Sequence, residues 1–443
     1  MASNRGYKSG LWCTAIALAL SWGSTVVAAN NASYAAAMES ITADELYHYV
    51  EVLADDVYEG RAAGSRGGHA AAQWLLKQVE PLKLTPAGRD GGYVQTFGND
   101  CRNILALQPG DDPQLSDDVI VVGAHYDHVG YGSSNNSFGP TGKIHNGADD
   151  NASGTAMLLE TMEAFARSGL RTRRTILFAF WDGEERGMVG SRYWLANPTL
   201  PLQRVKLNVT LDMVGRLRDH KLSVLGTRSG YGLRRLFADT SGDALSLDFA
   251  WDIKANSDHW PFIEREIPIA LLHTGLHSDY HRPSDDVEKI NRQGMQEVCR
   301  YLLAMIVRVA NEDRLPTFRH AVRRETESTR STRERPLPQA SLNNWPANEP
   351  RPRLGLSWRD DEAEPGAVFV IRVVEGAPAA AADLQVGDRI YELDGQSFPD
   401  AAVFQTRMNE ILAMNPPEFD MLTERKGHVK KVSIKLPPVK AAE

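Results

Sequence analysis

Three things are scarce in this chain. There are 3 cysteines in 443 residues, too few for a disulfide-stapled scaffold or a cysteine-rich metal module. No segment is apolar over the roughly 20 residues that cross a bilayer. The nearest candidate, 11–20, is followed by Ser21, Gly23, Ser24 and Thr25, which break the run. Basic charge is also short: the formal net charge is −8, which argues against a nucleic-acid binder working through net charge.

The interrupted run has another reading. Arg5 and Lys8 precede it, and small residues follow at Val27-Ala28-Ala29. That is the layout of a secretory leader, so residues 1–29 are expected to be removed and the protein to be periplasmic or secreted. Cys13 has no leucine three positions before it, as lipidation would require. Export leaves Cys101 and Cys299, which are open either to pairing or to burial as free thiols.

The length exceeds one ordinary domain and suggests two. Short apolar, β-branched runs at 119–124, Thr175–Trp181, Val205–Leu211 and 267–272 alternate with helical periodicity at 35–55, 67–81, 152–167, 187–196 and 291–310. That alternation predicts an α/β fold, a mixed but mostly parallel central sheet sandwiched by helices, over residues 30–315. Residues 316–350 are crowded with Arg, Glu, Ser, Thr and Pro and lack an apolar period. They read as a flexible linker without the apolar residues for a fixed interface. Short strands and turns resume over 351–438.

The chemistry-bearing residues come in order, each near the end of an apolar run. They are His125 and Asp127, then Asp149 in Gly147-Ala148-Asp149-Asp150-Asn151-Ala152-Ser153-Gly154. Glu184 and Glu185, Asp212, and His281 follow. Any one alone reads as a surface pair, a helix cap or a solvated face. Together, two imidazoles and three carboxylates suit two adjacent divalent metals sharing one carboxylate. Asp149, in its Gly-flanked turn, is the expected bridge. His125 and Asp212 would complete one metal, Glu185 and His281 the other. Asp127 would orient the His125 ring. Glu184 diverges from Glu185 and is left for proton work, as general base to the attacking water. Two Zn2+ are expected, with Mn2+ or Co2+ as substitutes.

These motifs resemble the dizinc exopeptidases of the bacterial leucyl-aminopeptidase type, clan MH. The likeness covers about 35–311 and includes Gly60-Arg61-Ala62-Ala63-Gly64-Ser65, Arg102-Asn103-Ile104-Leu105-Ala106, and Ser257-Asp258-His259-Trp260-Pro261-Phe262. It implies an aminopeptidase acting on peptides with a free N-terminus. It also implies a cis peptide between Asp149 and Asp150, and Tyr280 as an oxyanion donor. Carboxypeptidase or glutaminyl cyclase activity of the same family is the enzymatic alternative; a non-catalytic peptide-binding receptor is the other. The C-terminal residues Arg353-Leu354-Gly355-Leu356, Gly376-Ala377-Pro378-Ala379 and 384–390 resemble a small β-rich PDZ domain of the bacterial type. Such a domain is expected to bind a peptide or protein C-terminus. No nucleic-acid partner is expected.

Overall fold

The computed structural model describes residues 30–98, 100–238, 240 and 245–438. The leader-like segment 1–29 lies outside the described residues. Among these residues, no helix is long and apolar enough to cross a membrane.

The first half is built on a nine-stranded sheet. Its strands are β1 (Thr85–Pro86), β2 (Val94–Phe97), β3 (Cys101–Gln108), β4 (Val119–His125), β5 (Thr175–Trp181), β6 (Val205–Leu211), β7 (Lys221–Leu225), β8 (Ser246–Asp248) and β9 (Ile269–His273). The centre, β5-β4-β6-β9, is parallel. β3 and β7 flank it antiparallel.

The central strands read as unbroken apolar runs because both faces are covered. Alternate residues go to opposite sides. Ile120, Val122 and Ala124 join the core under helices Ala43–Leu53, Gly154–Ser168 and Arg292–Ala310. Val119 and Val121 join a second core with Trp181, Trp194 and Phe262. Two of these helices start where a side chain takes up a free N–H: Thr42 accepts from Glu45 N, and Asn291 from Gly294 N. The parallel strands all end on one side, and the site residues follow those ends. Cys101 and Cys299 are both buried and are not joined to each other.

The second half is a six-stranded antiparallel sheet of β10 (Leu356–Asp360), β11 (Val368–Val373), β12 (Arg389–Leu393), β13 (Gln396–Ser397), β14 (Glu418–Arg425) and β15 (His428–Lys435). Helix Ala401–Met414 packs on it through Phe404, Met408 and Ile411.

The segment 316–350 is not the flexible, apolar-free linker that its composition suggests. It forms a helical turn at His320–Arg324 and a helix at Glu327–Arg333. Val322, 2% exposed, packs into the second core of the first half with Phe318 beside it. Further on, Leu337 N donates to Ile371 O, and Glu375 N to Ala340 O, so the chain runs along the second sheet. Its charges are paired: Arg228 grips Glu325 with two bonds of 2.8 and 2.9 Å. The halves also meet directly. Arg234 makes two bonds to Glu424, and Leu247 N on β8 donates to Lys426 O in the β14–β15 turn at 2.8 Å.

Candidate metal centre and active site

Each ligand-type side chain is set by a strand end or the turn after it. β4 ends on His125. Its Nδ1 bonds the backbone oxygen of Asp127 at 3.1 Å, which fixes the ring and leaves Nε2 facing inward. From there Asp150 Oδ1 is 3.5 Å away and Asp212 Oδ1 3.8 Å. Asp127 thus holds the imidazole through its carbonyl; the two side chains stand 3.7 Å apart. The Asp127 carboxylate instead accepts from Glu184 N at 3.0 Å and Glu185 N at 3.3 Å. It ties the β5 turn to the β4 turn. Gly183 and Gly187, both at positive φ, bracket that turn.

The second group lies alongside. His281 Nε2 is 3.1 Å from Asp150 Oδ2 and 3.1 Å from Glu185 Oε2. His128 Nδ1 is 2.8 Å from Glu185 Oε1. Two clusters able to hold a cation result: His125, Asp150 and Asp212, and His128, Asp150, Glu185 and His281. They share one residue.

The shared carboxylate is Asp150, and this corrects the assignment of Asp149 as bridge. After Gly147 at φ 57 the chain is extended at Asp150 (φ −109, ψ 94), so the neighbouring side chains point apart. Asp149 turns away. Its Oδ1 accepts from Gly215 N at 2.6 Å and Ser153 Oγ at 3.1 Å, and its Oδ2 meets His277 Nε2 at 3.1 Å. The N–H groups of both aspartates bond Asp285 Oδ2. The cis peptide likewise lies one bond later than expected, at Asp150–Asn151.

The other expected residues gather here, with different neighbours. Tyr280 stacks on the His281 ring at 3.9 Å between centroids. Glu184 belongs to neither cluster. Burial raises its carboxyl well above the usual range; Glu185, Asp258 and Asp212 add to this, and His125 opposes it.

Several contributors had no role assigned to them from the sequence. Arg61 is fully buried and donates to the backbone oxygens of Leu53, Tyr126, Asn146 and Gly147 at 2.6–2.9 Å. It clamps the two loops that carry Asp127 and Asp150. Asn151 bonds Leu211 O and Gly154 N, locking the turn beside Asp212. His128 was legible only as the fourth residue of His-Tyr-Asp-His.

The electrostatics call for cations. Asp127, Asp149, Asp150, Asp212, Asp258 and Asp285 are all buried within this region. Burial alone would lower His281, yet its bonds to Asp150 and Glu185 outweigh that and carry it to about 10. His125 is likewise raised well above its usual value, against burial, by Asp212, Glu184 and Asp127. The carboxylates force charge onto the imidazoles that face them. Divalent ions between the same groups would answer that demand with the imidazoles neutral.

Buried carboxylates and imidazoles at the carboxyl ends of a parallel sheet form a site fit for divalent metal. Residues 103–306 match peptidase family M28, and residues 346–408 match the PDZ domain. The chain therefore carries an M28 catalytic domain with a PDZ domain behind it. It is 27% identical over 239 residues to leupeptin-inactivating enzyme 1 of Streptomyces exfoliatus, covering 52% of this chain and 47% of that one. It is 27% identical over 272 residues to leucine aminopeptidase 1 of Trichophyton rubrum, covering 55% and 68%. The chain thus spans about half the length of the first relative. In fold it is similar to the LapA aminopeptidase of Legionella pneumophila, with TM-score 0.50, 23% identity, and 62% and 74% of the two chains covered.

Proposed function

We propose that the protein is an exported, zinc-dependent aminopeptidase that removes N-terminal residues from peptides. The observation that carries this is the pair of ligand clusters joined at Asp150, with Glu184 beside them and in neither. His125, Asp150 and Asp212 would hold one Zn2+, and Asp150, Glu185 and His281 the other. When bound, the ions would activate water and polarise the scissile carbonyl. Glu184, half-buried and raised in pKa, takes the proton from the attacking water as the new C–O bond forms. It returns that proton to the departing amine nitrogen as the C–N bond breaks. Tyr280, against His281, would donate its hydroxyl hydrogen to the oxygen that gains charge. The acids around the site would hold the free amine of the substrate and disfavour internal bonds. The PDZ domain would take up a peptide or protein C-terminus. Residues 1–29 would direct the chain to the periplasm or the medium.

A panel of chromogenic amino-acid and dipeptide substrates, with free and with blocked amino termini, tests this reading. Cleavage of the free forms only supports an aminopeptidase. Release of C-terminal residues from blocked peptides would make it a carboxypeptidase, and cyclisation of N-terminal glutamine a cyclase.

A further inference from the structure

His128 stands in the second cluster but is not among the five ligands of the two-ion reading. It lies three residues after His125, and the turn between them sets the two rings against the shared Asp150 from different positions. His128 Nδ1 is 2.8 Å from Glu185 Oε1 and 3.8 Å from Asp150 Oδ2. The side chain is fully buried. Its ring packs on Gly147, where a Cβ would come within 2.5 Å of it, and lies edge-on to His281 at 5.5 Å. The backbone N–H donates to Arg61 O. The ring is therefore held on three sides and has little freedom to approach an ion.

Its other nitrogen settles the role. Nε2 is buried and has no hydrogen-bond partner. If Nδ1 ligated a metal, the neutral ring would carry its hydrogen on Nε2, as a buried donor with nothing to accept it. Ligating imidazoles almost always give that hydrogen to an acceptor. With the hydrogen on Nδ1, the ring donates to a carboxylate and leaves a bare acceptor on Nε2, the lesser orphan.

We propose that His128 is a positioning residue. Its Nδ1–H engages Glu185 Oε1 and so presents Glu185 Oε2 to the subsite shared by His281 and Asp150. The inference rests on the two-ion reading. Among the described residues, the cluster of His125, Asp150 and Asp212 contains no matching imidazole clamp. The two subsites are then unequal, and His128 governs one of them.

The test is zinc binding to the full-length, metal-stripped protein, titrated against a chromophoric chelator, with circular dichroism as the check on fold. The wild type is expected to bind two equivalents. His128→Ala should weaken one of them by about 10- to 100-fold, the usual effect of losing a hydrogen bond to a ligand, and leave the other unchanged. His128→Asn, whose side-chain N–H can stand near the imidazole Nδ1 position, should recover most of the loss. Failure of the wild type to bind two equivalents would overturn the two-ion reading itself. Two wild-type equivalents, with both affinities unchanged in His128→Ala, would overturn the role of His128 alone. So would equal weakening of both in a folded variant, or an asparagine variant no better than alanine.

Discussion

Arg228 Nη1 lies 2.6 Å from Asp361 Oδ1, a buried ion pair joining the catalytic domain to the PDZ domain. The guanidinium also lies over the Trp251 ring, 3.6 Å from its centroid. Asp361 meets Arg389 from its own domain as well, at 3.0 Å. Removing this carboxylate would leave two buried arginines short of a partner. Asp361→Ala is therefore expected to destabilise the full chain by about 3–5 kcal/mol, read by urea denaturation. An effect no larger than that of an exposed pair would mean the interface opens in solution.

The same aspartate gives a pH dependence. Burial would raise its carboxyl, but Arg389 and Arg228 outweigh burial and hold it below the usual range. A group depressed by folding contributes its stability above the unfolded value, about pH 4. That contribution disappears as pH falls through the lower folded value. Acid should therefore loosen the domain contact only below about pH 4, and Asp361→Asn should remove that component of the acid transition.

Glu364 works in the opposite direction. Burial, reinforced by Asp361, lifts its carboxyl to about 8, while its Oε1 accepts from Arg234 N. Between the unfolded value near 4.3 and about 8, the folded state holds a proton that the unfolded state has lost. Stability therefore falls as pH rises through that window. Glu364→Gln keeps the acceptor and cannot ionise. It should flatten the decline, with its largest gain over wild type near pH 8. Denaturation curves at pH 5 and pH 8 decide it.

In the active site, Asp150 and Asp149 can be told apart by metal analysis. Asp150→Ala should lose both equivalents of zinc. Asp149→Asn keeps an acceptor for Gly215 N and should retain them. The reverse pattern would restore Asp149 as the bridge.

Glu184→Gln should keep its metal and lose roughly 10²-fold or more in turnover, the scale of general-base help. Glu185→Ala should lose zinc from one subsite. Turnover near wild type in Glu184→Gln would remove that residue from the proton path.

A chain ending at Asn311 would lack Val322, Glu325 and the whole PDZ domain. It would leave Arg228, Arg234 and Trp251 uncovered. It is expected to melt well below the full chain and to aggregate, as thermal melts and gel filtration would show. A melt close to that of the full chain would mean the catalytic domain is self-sufficient.

Two of the central strands were legible to the residue, β5 and β6 being the apolar runs Thr175–Trp181 and Val205–Leu211, and β4 and β9 to within one or two residues. Burial on both faces writes itself plainly into composition. The flanking β1, β2, β3, β7 and β8 went unread. β1, β2, β7 and β8 have 2 to 5 residues each and are partly exposed, so no period could develop; β3 has the polar Arg102 and Asn103 near its start, which mask its apolar run. At the site, residue types showed that a metal cluster was present. Choosing between Asp149 and Asp150 required the backbone direction after Gly147, which no spacing encodes. The segment 316–350 misled for a related reason. Charge reads as solvated surface, and pairing such as Arg228 with Glu325 becomes visible only when distant parts meet.

The bond from Leu247 N to Lys426 O closes the outer rim of the catalytic sheet with a turn made much later in the sequence. A polypeptide grows from its N-terminus, so β8 emerges long before the turn that covers it. Through that interval the rim is an open template, to which a strand of a neighbouring nascent chain can pair. The PDZ domain thus sets a timetable for the catalytic domain: its sheet is sealed against unwanted company only after the β14–β15 turn has been made.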